Sequence, residues 1–158
     1  AVDIQCDTRS STLELEQVQN LDIVSRRDKI NLAEANTVKG ELSCTELRCE
    51  NIRNQVVLTT SYGGLDVKSV ATTFDKIVLK SKFTDINLNF KSQPSFSLVV
   101  EHSGNPDIAL TPKFRKTSEE VINPKEGITK ITGNTGTGKV LPLIDIKISG
   151  GSMAITNY

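Results

Sequence analysis

The sequence has no tryptophan, only five phenylalanines and two tyrosines, and a net charge of zero from nineteen basic and nineteen acidic residues. So few aromatics argue against stacking platforms for sugars or bases. The cancelled charge leaves no overall field that favours nucleic acid or an anionic membrane. No apolar run approaches the roughly 18–20 residues of a transmembrane helix. The single histidine, His102, is too little to assemble a nucleophile, a base and an orienting group. Three cysteines, Cys6, Cys44 and Cys49, are an odd number, which excludes a fully paired framework, and their spacing matches no zinc motif. Neither a metal nor a cofactor is implied. The first residue is Ala1 rather than Met, and we expect an upstream segment to have been removed.

What the sequence does have is a repeat. VVLTTSYGGLDV (Val56 to Val67) aligns without a gap on IVLKSKFTDINL (Ile77 to Leu88), so that Val56 meets Ile77, Tyr62 meets Phe83 and Val67 meets Leu88. LDIVSRRDKINL (Leu21 to Leu32) aligns on the same segment. Each copy is two alternating segments joined by a polar corner. Period-two alternation marks a strand with one buried face, and a recurring strand–corner–strand unit marks a solenoid rung. The first-strand column reads Ile4, Leu21, Val38, Val56, Ile77, Leu98. The second-strand column reads Leu13, Ile30, Leu47, Leu65, Ile86, Ile108, and two residues on from each come Leu15, Leu32, Cys49, Val67, Leu88 and Leu110. All twelve of these second-strand positions are apolar or Cys. Val18, Ala35, Ile52 and Val70 form a third column.

A rung cannot bury its inward face alone, and stacking rungs makes one continuous core with parallel strands and right-handed crossovers. The expectation is an all-β, single-stranded parallel β-helix, right-handed, with rungs of about 17–22 residues. It occupies 1–158 as one domain. Regular rungs fill 1–110, an insertion and hairpin-like region fills 111–143, and the final rung is 144–158. Within the insertion, 111–127 carries Pro112, Pro124 and a charged run, and reads as a loop or flap over the side of the solenoid.

Several positions invite a functional reading. Val57, Val78 and Val99 fall one residue after the first-strand starts and form an outward apolar stripe. The 111–127 segment is expected to cover it; the sharper reading is a partner or homo-oligomer interface. Tyr62 and Phe83 share a corner and read as a local stack, with Cys44 aligned to both. His102 shares a corner column with Thr8, Ser25, Thr60 and Ser81. A general base beside Glu101 or Asp107 is its functional reading and a solvated corner residue its plainer one. Cys6 and Cys49 fall on inward columns as small core fillers, and a Cys44–Cys49 bridge stays open. GNTGTGK (Gly133 to Lys139) resembles a phosphate loop but is followed by Val140 and strand instead of Ser/Thr and helix, so it reads as a turn.

Because β-helices include pectate lyase-like enzymes, a polysaccharide-acting enzyme is the alternative reading, and it needs carboxylates on adjacent rungs. The outward second-strand column is Glu14, Asn31, Arg48, Asp66, Asn87, Ala109, in which no two acids adjoin. Asp28, Glu34, Asp75 and Asp85 scatter over corners, and only Asp85 and Asp107 come near to stacking.

TTSYGGLDVKSV (Thr59 to Val70), LKSKFTDINLNF (Leu79 to Phe90) and the ending IDIKISGGSMAITNY (Ile144 to Tyr158) resemble the bacterial adhesin-like families of β-strand-repeat domains. The resemblance covers most of the chain and rests on repeat style. It implies a β-solenoid, export to the cell envelope or outer surface, no enzymatic activity and no transferable site residue. The function expected is therefore non-enzymatic: a rigid surface offered to a glycan or to an envelope or host protein. Val57, Val78, Val99, Tyr62, Phe83 and His102 are its candidate contact residues.

Overall fold

Alternating apolar and polar residues draw nearly the whole chain into strand. The computed structural model describes residues 2–90, 95–136 and 141–157, which contain ten strands and no helix. These are β1 (Val2–Arg9), β2 (Thr12–Arg26), β3 (Lys29–Ser43), β4 (Glu46–Val70), β5 (Lys76–Phe90), β6 (Phe96–Ser103), β7 (Asp107–Ala109), β8 (Arg115–Asn123), β9 (Ile128–Thr135) and β10 (Leu143–Asn157). They make one sheet in the order β1-β2-β3-β4-β5-β10-β6-β9-β8, with β7 paired to β10. All pairings are parallel except β6 with β9 and β9 with β8. The protein is all-β, built on a long and mostly parallel sheet.

The registers follow the sequence columns. Ile4 lies opposite Leu21, Leu21 opposite Val38, Val38 opposite Val56 and Val56 opposite Ile77. Leu21, Val38, Val56 and Ile77 are buried, as are Ile30, Leu47, Leu65 and Ile86 of the second strands and Val18, Ala35, Ile52 and Val70 of the third column. Most outward neighbours are charged or polar, Val57, Val78 and Val99 being the half-buried exceptions, so each tier hides about one side chain in two. The tiers lengthen where Ala71 to Asp75 are added. The extra residues admit Phe74, whose ring packs on Phe90 at 5.5 Å, and Phe90 stacks in turn on Phe96 at 5.6 Å. The third column thus changes from small side chains to large ones as the tiers widen.

A recurring left-handed residue turns each corner. Ser10, Arg27, Cys44, Tyr62 and Phe83 all have φ between 48° and 58°. The amides of the first three donate to carbonyls of the next tier: Ser10 N to Arg26 O, Arg27 N to Ser43 O and Cys44 N to Ser61 O. The hydrogen-bond ladder therefore runs through the bend unbroken, and neighbouring tiers hold each of these residues in a conformation that costs an L-residue about 1–2 kcal/mol. At Gly150 in β10 the same corner needs glycine for a second reason. A Cβ there would lie 2.7 Å from the Phe83 ring.

Two features differ from the expected chain order. The 144–158 segment is a tier but not the last of the stack, because β10 is inserted between β5 and β6. Ile144 and Ile146 face Ile77 and Leu79 on one side and Leu98 and Val100 on the other. The stack thereby gains a tier with fully buried Ile144, Ile146 and Ile155 in the middle of the core. The 111–127 segment is also not a loose flap. Arg115–Asn123 is strand β8, and its hairpin with β9 adds to β6 edge to edge, lengthening the sheet. Exposed Lys116, Glu119 and Glu120 on this last strand put charge on an edge that would otherwise template further pairing.

Candidate binding surface

The outward face of the first strands and the corner beside it collect the chemistry. Val57 lies opposite Val78, but Asp145 stands between Val78 and Val99. The expected stripe of three stacked valines is therefore broken by the inserted β10, and all three are half-buried. Tyr62 and Phe83 do meet: their ring centroids are 5.5 Å apart at 17°, and the residues stay 56% and 53% exposed. The left-handed corner turns both rings outward, with Phe83 lying over Gly150.

His102 occupies the inward corner column, which reads Thr8, Ser25, Leu42, Thr60, Ser81, Ile148, His102 across the registers. It is half-buried and pairs in backbone register with Thr129 of the hairpin. Beside it lies a groove of about 330 Å³, lined by Lys80, Lys82, Glu101, His102 and Lys147, with Ile128 at one wall. The volume is at the small end of ligand-binding clefts. A second hollow of about 600 Å³ adjoins Arg9, Arg26, Arg27, Glu41 and Cys44 along the same face. Sequence reasoning missed these cations because it tested the outward columns for apolar stripes and for adjoining carboxylates, and basic residues in a chain of zero net charge carried no signal there. Their columns follow from the same repeat offsets, except at Lys147, whose neighbours depend on where β10 inserts.

Under the corner, the acid expected on a surface corner is instead buried. Asp28 is 2% exposed and accepts from Thr8 Oγ1 (2.6 Å), Ser11 N (2.6 Å), Arg26 N (3.2 Å) and Ser25 Oγ. Ser25 Oγ also bonds Thr45 Oγ1 at 2.9 Å. Burial alone would raise the carboxyl pKa; the bonds from Ser25, Thr8 and the two amides outweigh it and hold the pKa below the ordinary value. Further along the column the chemistry changes. Thr60 Oγ1 and Ser81 Oγ are buried with no hydrogen-bond partner among the described residues. Ser25→Ala should therefore destabilise by about 1–3 kcal/mol, whereas Ser81→Ala should be neutral or slightly stabilising, since it removes an unpaired polar group. Urea midpoints of the two variants check this; equal losses would contradict the network.

All three thiols are free. Cys49 is buried, donates to Asn51 O at 3.4 Å, and burial pushes its pKa up to about 12. Cys44 is exposed at the corner. At pH 8 a thiol reagent should label Cys44 quickly and Cys49 only as the protein unfolds, because the thiolate is the reacting form. Mass mapping of the labelled peptides reads the outcome.

The carboxylates named for the enzyme alternative do not adjoin. Ser152 stands between Asp85 and Asp107 and donates to Asp85 Oδ1 at 2.8 Å, while Asp66 pairs with Asn87. Among the described residues no three His, Cys, Asp or Glu side chains gather as a metal would need. No described helix is long and apolar enough to cross a membrane. Of the phosphate-loop-like stretch, Gly133 to Thr135 lie in β9, while 137–140 are outside the described residues. No protein-family model matches the chain, and no curated protein or solved structure matches it either.

Proposed function

We propose that this chain is a non-enzymatic, adhesin-like protein of the cell envelope or surface, exported, with a right-handed parallel β-solenoid that holds a rigid face against an extended ligand. The observation that carries the reading is the Tyr62–Phe83 stack, whose rings stand out more than half exposed where the left-handed corner of each tier carries a large aromatic side chain. A left-handed conformation at a bulky residue is an outlier. Two in adjacent tiers, both exposed, serve presentation better than they serve the core. The parallel register supports the same reading, since it sets outward side chains at a fixed step of about 4.8 Å, a repeat that suits a chain-like partner such as a glycan or an extended protein segment.

The test is a glycan and host-matrix array probed with the purified protein, with and without Ca²⁺, with product release assayed in the same wells. The reading expects binding without turnover, weakened about tenfold or more in a Tyr62→Ala/Phe83→Ala double variant that keeps its strand signal. Turnover of any glycan, or binding indifferent to both rings, would overturn it.

A further inference from the structure

Resting on that reading, we propose that the outward row beside the corner is a track for an extended acidic polysaccharide, one carrying sulfate or carboxylate groups at intervals. The registers place Arg9, Arg26, Ser43, Ser61, Lys82 and Ser149 side by side along the sheet, one from each successive tier. Ser103 continues the row. It carries cations at one end and in its second half, with hydroxyls between, and no carboxylate. From Arg26 to Lys82 is three strand steps, about 14 Å.

Charges around the row strengthen both cationic clusters. Arg27 stands at the corner next to Arg26. Lys80 and Lys147 are direct register partners in the neighbouring row, two like charges about 4.8 Å apart between their backbones. All six cations are exposed, and none forms an ion pair with a described residue; the ion pairs found join Arg53 to Glu34, Lys68 to Glu50 and Lys116 to Glu119. Like charges at that spacing repel in the free protein and are relieved by a bound anion, and the guanidinium forks offer two parallel donors to a sulfate or carboxylate. The neighbouring row does carry acids: Asp7, Glu41 between Val24 and Thr59, and Glu101 between Lys147 and Lys130. Glu41 lies between the two cationic clusters, Asp7 flanks Arg9 at the outer end, and Glu101 adjoins Lys147 at the edge of the lysine cluster, so the cations outnumber the acids in each.

A polysaccharide fits better than a nucleic acid. The stretch between the clusters offers Ser43 and Ser61, hydroxyls that hydrogen-bond other hydroxyls, and the Tyr62–Phe83 rings stand at the corner next to Ser61 and Lys82, where a sugar face could lie against them. Net charge of zero gives no long-range attraction for a polyanion of either kind, so local pairing at the two clusters has to supply the binding.

The experiment measures affinity for dextran sulfate, polygalacturonate and neutral dextran, with duplex DNA as a further polyanion. Three proteins are compared: the unaltered chain, Arg9→Ser/Arg26→Ser, and Lys80→Ser/Lys82→Ser/Lys147→Ser. All five side chains are exposed, so thermal melts should be unchanged. The proposal expects the acidic glycans to bind and neutral dextran not to, each variant to lose about tenfold or more, and affinity to fall as salt is raised. Neutral dextran binding as well as its sulfated form, or both variants binding like the parent, would overturn the acidic assignment while leaving a glycan-binding surface in place. DNA binding with the same variant sensitivity and no acidic-glycan binding would overturn the polysaccharide. No binding to any polymer here or on the array would overturn this track and the wider reading together.

Discussion

Ile146→Asp should leave the chain unfolded or nearly so at 25 °C, while Asp145→Asn, one residue earlier, should change stability by less than about 1 kcal/mol. The two positions lie on opposite faces of the same strand. Ile146 is fully buried between Leu79 and Val100, in a tier that has neighbours on both sides. Removing its side chain alone costs about 2–5 kcal/mol, and an unpaired polar group left there adds about 1–3 more. Together they rival the whole stability of a domain this size, about 5–15 kcal/mol. Asp145 is partly open to solvent and its change keeps the shape. Circular dichroism and urea titration of the pair measure the contrast. A mild Ile146→Asp would mean that β10 is a surface strand.

The second large effect is at Asp28. Asp28→Ala should cost about 3 kcal/mol at pH 7, because four donors lose their charged acceptor in a buried corner. The loss should also depend on pH in one direction. The folded-state pKa is held below the ordinary carboxylate value of about 4, so the stabilisation is fully present above that value. It fades as pH falls through the lower folded value and the carboxylate takes up its proton. The gap in urea midpoint between the parent and Asp28→Ala should therefore be wide at pH 7 and narrower near pH 3. A gap that is constant, or that widens on acidification, would show that the carboxylate charge is not what binds the corner together.

The inward columns were legible because burial leaves a period-two record. Ile4, Leu21, Val38, Val56 and Ile77 follow one another in sequence and in space. What hid the position of β10 is that every tier offers much the same inward surface. Ile144 resembles Val56 and Ile77 alike, so the repeat identifies a tier without stating its neighbours. The hairpin strand β8 gave no alternation to read because both of its faces are largely exposed, which removes the selection for an apolar side. The corners escaped for another reason. Left-handed positions are usual at Gly and Asn, and here Arg27, Cys44, Tyr62 and Phe83 fill them, the first two tied by their amides to the next tier. Asp28 read as one more surface acid because nothing local says that Thr8, Ser11 and Ser25 converge on it. The pairing of Tyr62 with Phe83 was legible from the repeat; the row beside it mixes Arg, Ser and Lys at exposed and half-buried outward positions, which leave no period-two record.

The measurement that tests this account most directly is disulfide trapping across the inserted tier, in a background with Cys44→Ser. Val78→Cys/Asp145→Cys should form an intramolecular disulfide on mild oxidation, since these residues are register partners in adjacent strands, about 4.8 Å apart. Val78→Cys/Val99→Cys should not, because β10 separates them to about 10 Å, beyond the reach of a disulfide of about 7 Å. Formation of the second bridge and failure of the first would place β6 directly on β5 and contradict the insertion.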